Sequence, residues 1–148
     1  MPLMMVCPDL SAFSEPEWNR PDSISEAFAC ILRANDAASS SAAYNRLLYA
    51  LGNNHAGTYY SVALGVLPVM QRVLLDGNPW AQRTILEALI DLCGSFEPEQ
   101  GHETYCGQPL AKLIKQTIRG YVSVLDSLAQ NGGIAAEGAK ELLNVLND

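Results

Sequence analysis

From residue 22 onward, apolar side chains recur at three- and four-residue steps, the spacing that lines up one face of an α-helix. Ile24, Ala27, Phe28, Ile31 and Leu32 form the first such stripe. Ser23 and Glu26 open it as S-x-x-E, a pattern in which two side chains satisfy backbone donors at a helix start, so the spacing predicts a helix over about 23–35. After a break over 36–41, Tyr44, Leu47, Leu48 and Leu51 mark a second helix, with Gly52 placed to end it in the left-handed conformation. A third stripe runs from Thr58 through Tyr59, Val62, Ala63, Val66, Leu67, Met70, Val73 and Leu74, and Pro68 inside it predicts a kink. Asn78 and Pro79 then read as an N-cap and a first-turn proline. They open a fourth helix whose apolar face is Trp80, Ile85, Leu86, Ala88, Leu89, Leu92 and Cys93, with Gly94 as its stop.

Residues 95–108 lose this periodicity and read as the longest internal loop, a length at which loops often carry function. Gln108 and Pro109 open a fifth helix through Leu113, Ile114, Ile118, Val122, Leu125 and Leu128, ending near Gly132. A sixth runs from about Ala135 to Leu146. No segment alternates with period two, so no sheet is expected. The first 21 residues hold Pro2, Pro8, Pro16 and Pro21, which forbid a long helix. They are expected to form an extended N-terminal arm over 1–21, anchored by Leu3, Val6, Leu10, Phe13 and Trp18 and packed across one end of a single helical domain over 22–148.

Composition narrows the function. Hydrophobic residues make up 49% and charged ones 17%, enough apolar surface for a core without metals or disulfides. The 16 acids against 9 Lys and Arg give a net charge of −7, which repels a nucleic-acid backbone and favours basic protein partners. The same charge also serves simple solubility. Cys7, Cys30, Cys93 and Cys106 form no C-x-x-C pair and suit reduced, mostly buried thiols of a cytoplasmic protein. The N-terminus lacks the basic segment of a secretion signal, and no apolar run is long enough to span a bilayer.

The stretch from Val66 to Cys93, VLPVMQRVLLDGNPWAQRTILEALIDLC, resembles a HEAT repeat. A proline lies in the first helix, an aspartate at the turn, and Ala88-Leu89 near the close of the second. It departs from the family in that the basic residue expected early in the second helix falls one position late, at Arg83, with Gln82 in its place. That bears on the aspartate ladder between repeats, not on the helix pair. The resemblance implies an all-α fold, a short HEAT-like α-solenoid of about three antiparallel helix pairs, with degenerate pairs on either side. The run LLYALGNNHAGTYY over Leu47–Tyr60, together with GSFEPE over Gly94–Glu99, is also similar to small bacterial HEAT-like proteins associated with polymorphic toxin systems. This implies an immunity protein that binds a cognate toxin domain and occludes its active site, with no cofactor and no catalysis of its own.

Candidate contacts lie in two loops and on one helix face. Asp91, Glu97, Glu99 and Glu103 concentrate acid around the long loop beside Phe96 and Tyr105, an arrangement suited to Arg or Lys of a partner and equally to a solvated loop. His55 and Tyr59 sit in a polar, aromatic turn over 53–60. It serves either as a contact loop or as a structural turn in which Thr58 N-caps the third helix. Arg83, Glu87 and Asp91, four apart, share a helix face, with Arg83 and Glu87 as a surface ion pair. Glu87 with Asp91 as acid and base, alone or with His102, is the enzymatic alternative. His55, Cys93, His102 and Cys106 lack the spacing of a zinc site. The expectation is a partner-binding protein, not an enzyme, whose ligand is a basic toxin rather than nucleic acid, membrane or metal. A HEAT-like scaffold or adaptor without inhibitory role is the alternative.

Overall fold

The computed structural model describes residues 9–147, and it is a mostly α-helical domain of packed helices. The expected anchors Leu3 and Val6, the prolines Pro2 and Pro8, and Cys7 lie outside the described residues. Helix α1 spans Ser23–Arg33 and α2 spans Ala37–Leu51. The reciprocal cap predicted at Ser23 and Glu26 is not made there. Ser23 Oγ accepts instead from the Arg20 N–H at 2.8 Å, and Glu26 is drawn off by Arg46 at 2.7 Å. The capping box stands at the start of α2, where Ser39 N–H donates to Asp36 Oδ1 at 2.8 Å and Asp36 N–H donates to Ser39 Oγ at 3.1 Å. With both donors satisfied, α2 begins inside the Ser/Ala run that the sequence suggested as a break.

The third stripe is not one helix. Thr58–Tyr59 is extended as β1, followed by the single turn α3 (Val62–Gly65) and then α4 (Leu67–Asp76). Pro68 falls in the first turn of α4, where its missing donor is harmless, so the expected kink is a break between two helices. Helix α5 (Pro79–Cys93) starts as the sequence predicts, with Asn78 Oδ1 accepting from the Ala81 N–H at 2.9 Å. Gly52 and Gly94 do follow their helices, but neither is left-handed (φ 175° and −107°). At Gly52 the need is for space, since a Cβ would lie 2.2 Å from the Thr58 carbonyl oxygen.

The long loop holds β2 (Glu97–Pro98), β3 (Thr104–Tyr105) and β4 (Gln108–Pro109). Strand β1 pairs with β2 in parallel and β3 with β4 antiparallel, which corrects the expectation of no strand pairing. Two-residue strands are too short to show a period. The fifth predicted helix is also two: α6 (Leu110–Arg119) and α7 (Val122–Asn131). Between them Tyr121 turns inward, is 5% exposed, and donates its hydroxyl to the Leu67 carbonyl at 2.9 Å. Helix α8 is Ala136–Leu146.

Helix α5 is the centre of the core. It packs against α2 and α8, and also against α4 and α6, while α1 packs on α2 and α7 on α8. Where α2 meets α5, Ser40 and Thr84 are both buried with their hydroxyls 2.8 Å apart. Residues 9–21 lie across α3 and the end of α2. Leu10 and Phe13 occupy the space a side chain at Gly65 would need, and Trp18 Nε1 donates to the Tyr49 carbonyl at 2.8 Å.

Candidate functional site

The turn over 53–59 and the loop after α5 are distant in sequence and adjacent in the fold. Asn53 builds the turn, its Oδ1 accepting from His55 N–H and Ala56 N–H at 3.1 Å each. The loop is then fastened to it by backbone bonds from Glu97 N–H to the Gly57 carbonyl (3.0 Å) and from Glu99 N–H to the Tyr59 carbonyl (2.8 Å). The Phe96 ring lies over Gly57, and Phe96 N–H donates to the Asp91 carbonyl at 2.9 Å. His102 N–H donates to the Glu99 carbonyl at 2.8 Å, and Leu110 N–H to the Glu103 carbonyl at 2.8 Å, so the acidic loop is held along its length. Its hairpin turns at Cys106 and Gly107, both with positive φ (51° and 78°).

The predicted contact residues divide by environment. Glu97 and Glu103 are exposed, Glu99 is half-buried and accepts from Thr58 Oγ1 at 3.4 Å, and His55 is exposed at the tip of its turn. Thr58 therefore contacts Glu99 instead of capping the third helix. Among the described residues, no Lys, Arg or His pairs with Glu97, Glu99 or Glu103. Tyr105 is half-buried, stacked on Phe13 with ring centroids 5.0 Å apart.

Tyr59 is a correction: at 1% exposure it belongs to the core and offers no contact surface. Its hydroxyl has no hydrogen-bond partner among the described residues, and burial first, then the charges of Cys93 and Glu97, push its pKa up.

On α5, Arg83 Nε meets Glu87 Oε1 at 3.1 Å, and the Arg83 guanidinium lies 5.4 Å from the Trp80 ring centre. Asp91 accepts a hydrogen bond from the Tyr44 hydroxyl, and Ser95 Oγ approaches its other oxygen at 3.5 Å. Burial first, then the Asp91 bond and the charges of Asp91 and Glu87, raise the Tyr44 pKa. Glu87 and Asp91 thus have separate partners. Tyr44 was legible only as a core position, because its acid lies 47 residues away.

Cys30, Cys93 and Cys106 are free. Cys106 is exposed, against the expectation of mostly buried thiols, because the hairpin turn places it outward. Burial raises the Cys93 thiol to about 11, against the lowering influence of Lys115 and Arg119. Among the described residues, no three His, Cys, Asp or Glu side chains are grouped to hold a metal ion, and no helix is long and apolar enough to cross a membrane.

A second group of rings adjoins the loop, and the sequence offers its members only singly: Trp18 as an arm anchor, Tyr60 within the turn 53–60, and His102 as a candidate for acid–base or zinc chemistry. Trp18 stacks on Tyr49 (5.3 Å) and meets Tyr60 edge-on (6.3 Å), and Tyr60 in turn meets His102 (4.5 Å). A tryptophan and tyrosine left 37% and 50% exposed are the signal. Comparison with family models, with curated proteins and with solved structures found no match to this chain.

Proposed function

We propose that this chain is a protein-binding domain whose loop 95–109 and adjoining α5 face receive a basic protein, as an immunity protein receives its toxin. The observation that carries the reading is the set of Glu97, Glu99 and Glu103, without basic partners among the described residues, on a loop bonded through its backbone to the turn 53–59. A loop whose backbone is already held loses little freedom when a partner arrives, and complementary charge speeds encounter. The net charge of −7 adds to that field.

The row α2, α5, α8, each helix backed by another, supports a HEAT-like solenoid of three helix pairs. Val66–Cys93 supplies its middle pair. In this reading inhibition is steric, covering the toxin's active site or substrate path in the cytoplasm, and asks neither catalysis nor a cofactor of this chain. Co-expression with the protein encoded beside its gene tests it. The expected result is a one-to-one complex and protection of the host cell from that protein's toxicity. A stable complex with a non-toxic partner would make the chain a scaffold, and neither complex nor protection would remove the reading.

A further inference from the structure

The geometry points to a cation seat at Trp18 and Tyr60, shaped to take an arginine side chain from a basic protein segment. The inference rests on the partner reading above and names the contact that anchors it. The Trp18 ring is fixed, because its Nε1–H is bonded to the Tyr49 carbonyl at 2.8 Å, and 37% of the residue is nonetheless exposed. The Tyr60 backbone is anchored by its N–H bond to the Leu51 carbonyl at 2.9 Å, and its ring lies between Trp18 (6.3 Å) and His102 (4.5 Å). The two ring planes stand at 88°, so they form two walls of a corner, with Tyr49 stacked behind one and His102 beside the other.

Charge agrees with the shape. Glu99 is bonded through its backbone to Tyr59 and to His102, and after burial the negative charges of Glu99 and then Glu17 raise the Tyr60 pKa. Neither pairs with a Lys, Arg or His among the described residues. The nearby arginines are already engaged: Arg20 and Arg46 lie 3.7 and 2.7 Å from Glu26. Aromatic faces attract a cation, and a guanidinium can stack on a ring while bonding a carboxylate, which an ammonium does less well. The fold makes the same contact internally, with Arg83 over Trp80. Rigid, partly exposed Trp and Tyr are also the residue types that dominate binding energy at protein interfaces.

The test is an NMR titration of the full chain with a blocked arginine-glycine peptide, using a glutamate-glycine peptide of equal length for comparison. Only two tryptophans are present, so their indole N–H signals are easily assigned. The expected result is a saturable shift of the Trp18 signal and not of Trp80, absent with the acidic peptide and weakened about tenfold in Glu17→Gln with Glu99→Gln. Shifts confined to Glu97 and Glu103, or an unchanged affinity in the double variant, would overturn the seat and leave the partner reading standing. No shift anywhere on this face would count against both.

Discussion

Glu99 donates its backbone N–H to the carbonyl of Tyr59 at 2.8 Å, joining a loop that faces solvent to a residue that is 1% exposed. The acidic loop thereby inherits rigidity from the core, and Tyr59 positions it without touching a partner. Tyr59→Phe removes only a buried hydroxyl without a partner among the described residues, so stability is expected to hold or rise slightly. Tyr59→Ala removes the ring and is expected to cost about 3–5 kcal/mol. Urea denaturation measures both, and amide exchange at Glu97 and Glu99 should accelerate only in the alanine variant.

The Ser40–Thr84 contact makes a second, independent claim about the α2–α5 crossing. Thr84 Oγ1 also lies 3.0 Å from the Trp80 carbonyl, so Thr84→Val strips several bonds from a site with 0% exposure. The expected loss is about 1–3 kcal/mol. Ser40→Ala should cost less in that background than alone, because its main partner is already gone. A double-mutant cycle reads the coupling, and strict additivity would show that the two hydroxyls do not interact.

Alkaline pH should lower the protein's stability over overlapping ranges set by its buried thiol and phenols. Cys93 moves from 9.0 to about 11 on folding, and Tyr121 from 10.0 to about 12, each through burial. The folded chain keeps these protons while the unfolded chain releases them, so stability is level below pH 9 and falls as pH rises through 9–11, then further through 10–12. Cys93→Ala should remove the first part of that fall. Urea midpoints at pH 8, 10 and 11 check it; parallel curves for the two proteins would contradict the assignment.

Much of the helical scaffold was legible because its signals are local. Asn78-Pro79 starts α5 where the residues say it should, and the buried positions of α1 repeat at helical spacing. What the sequence hid depends on contacts made across the chain. The stripe from Leu113 to Leu128 gives no sign that Tyr121 reaches the Leu67 carbonyl, 54 residues away, and divides one helix into two. The capping box was misplaced because Ser23 and Glu26 fit the pattern, yet Glu26 is held by Arg46, 20 residues on. At the candidate site the acids were visible as composition. Their attachment to Gly57 and Tyr59, and the ring corner beside them, were not, since each joins segments some 40 residues apart.

The most direct measurement of the central claim is the association rate between this protein and the product of the neighbouring gene, for the native chain and for Glu97→Gln, Glu99→Gln and Glu103→Gln combined. All three sites accept glutamine without loss of packing, so the fold should be kept. A one-to-one complex is predicted, whose association slows about tenfold or more in the triple variant and with added salt. Association that is indifferent to both the three charges and the salt would contradict it.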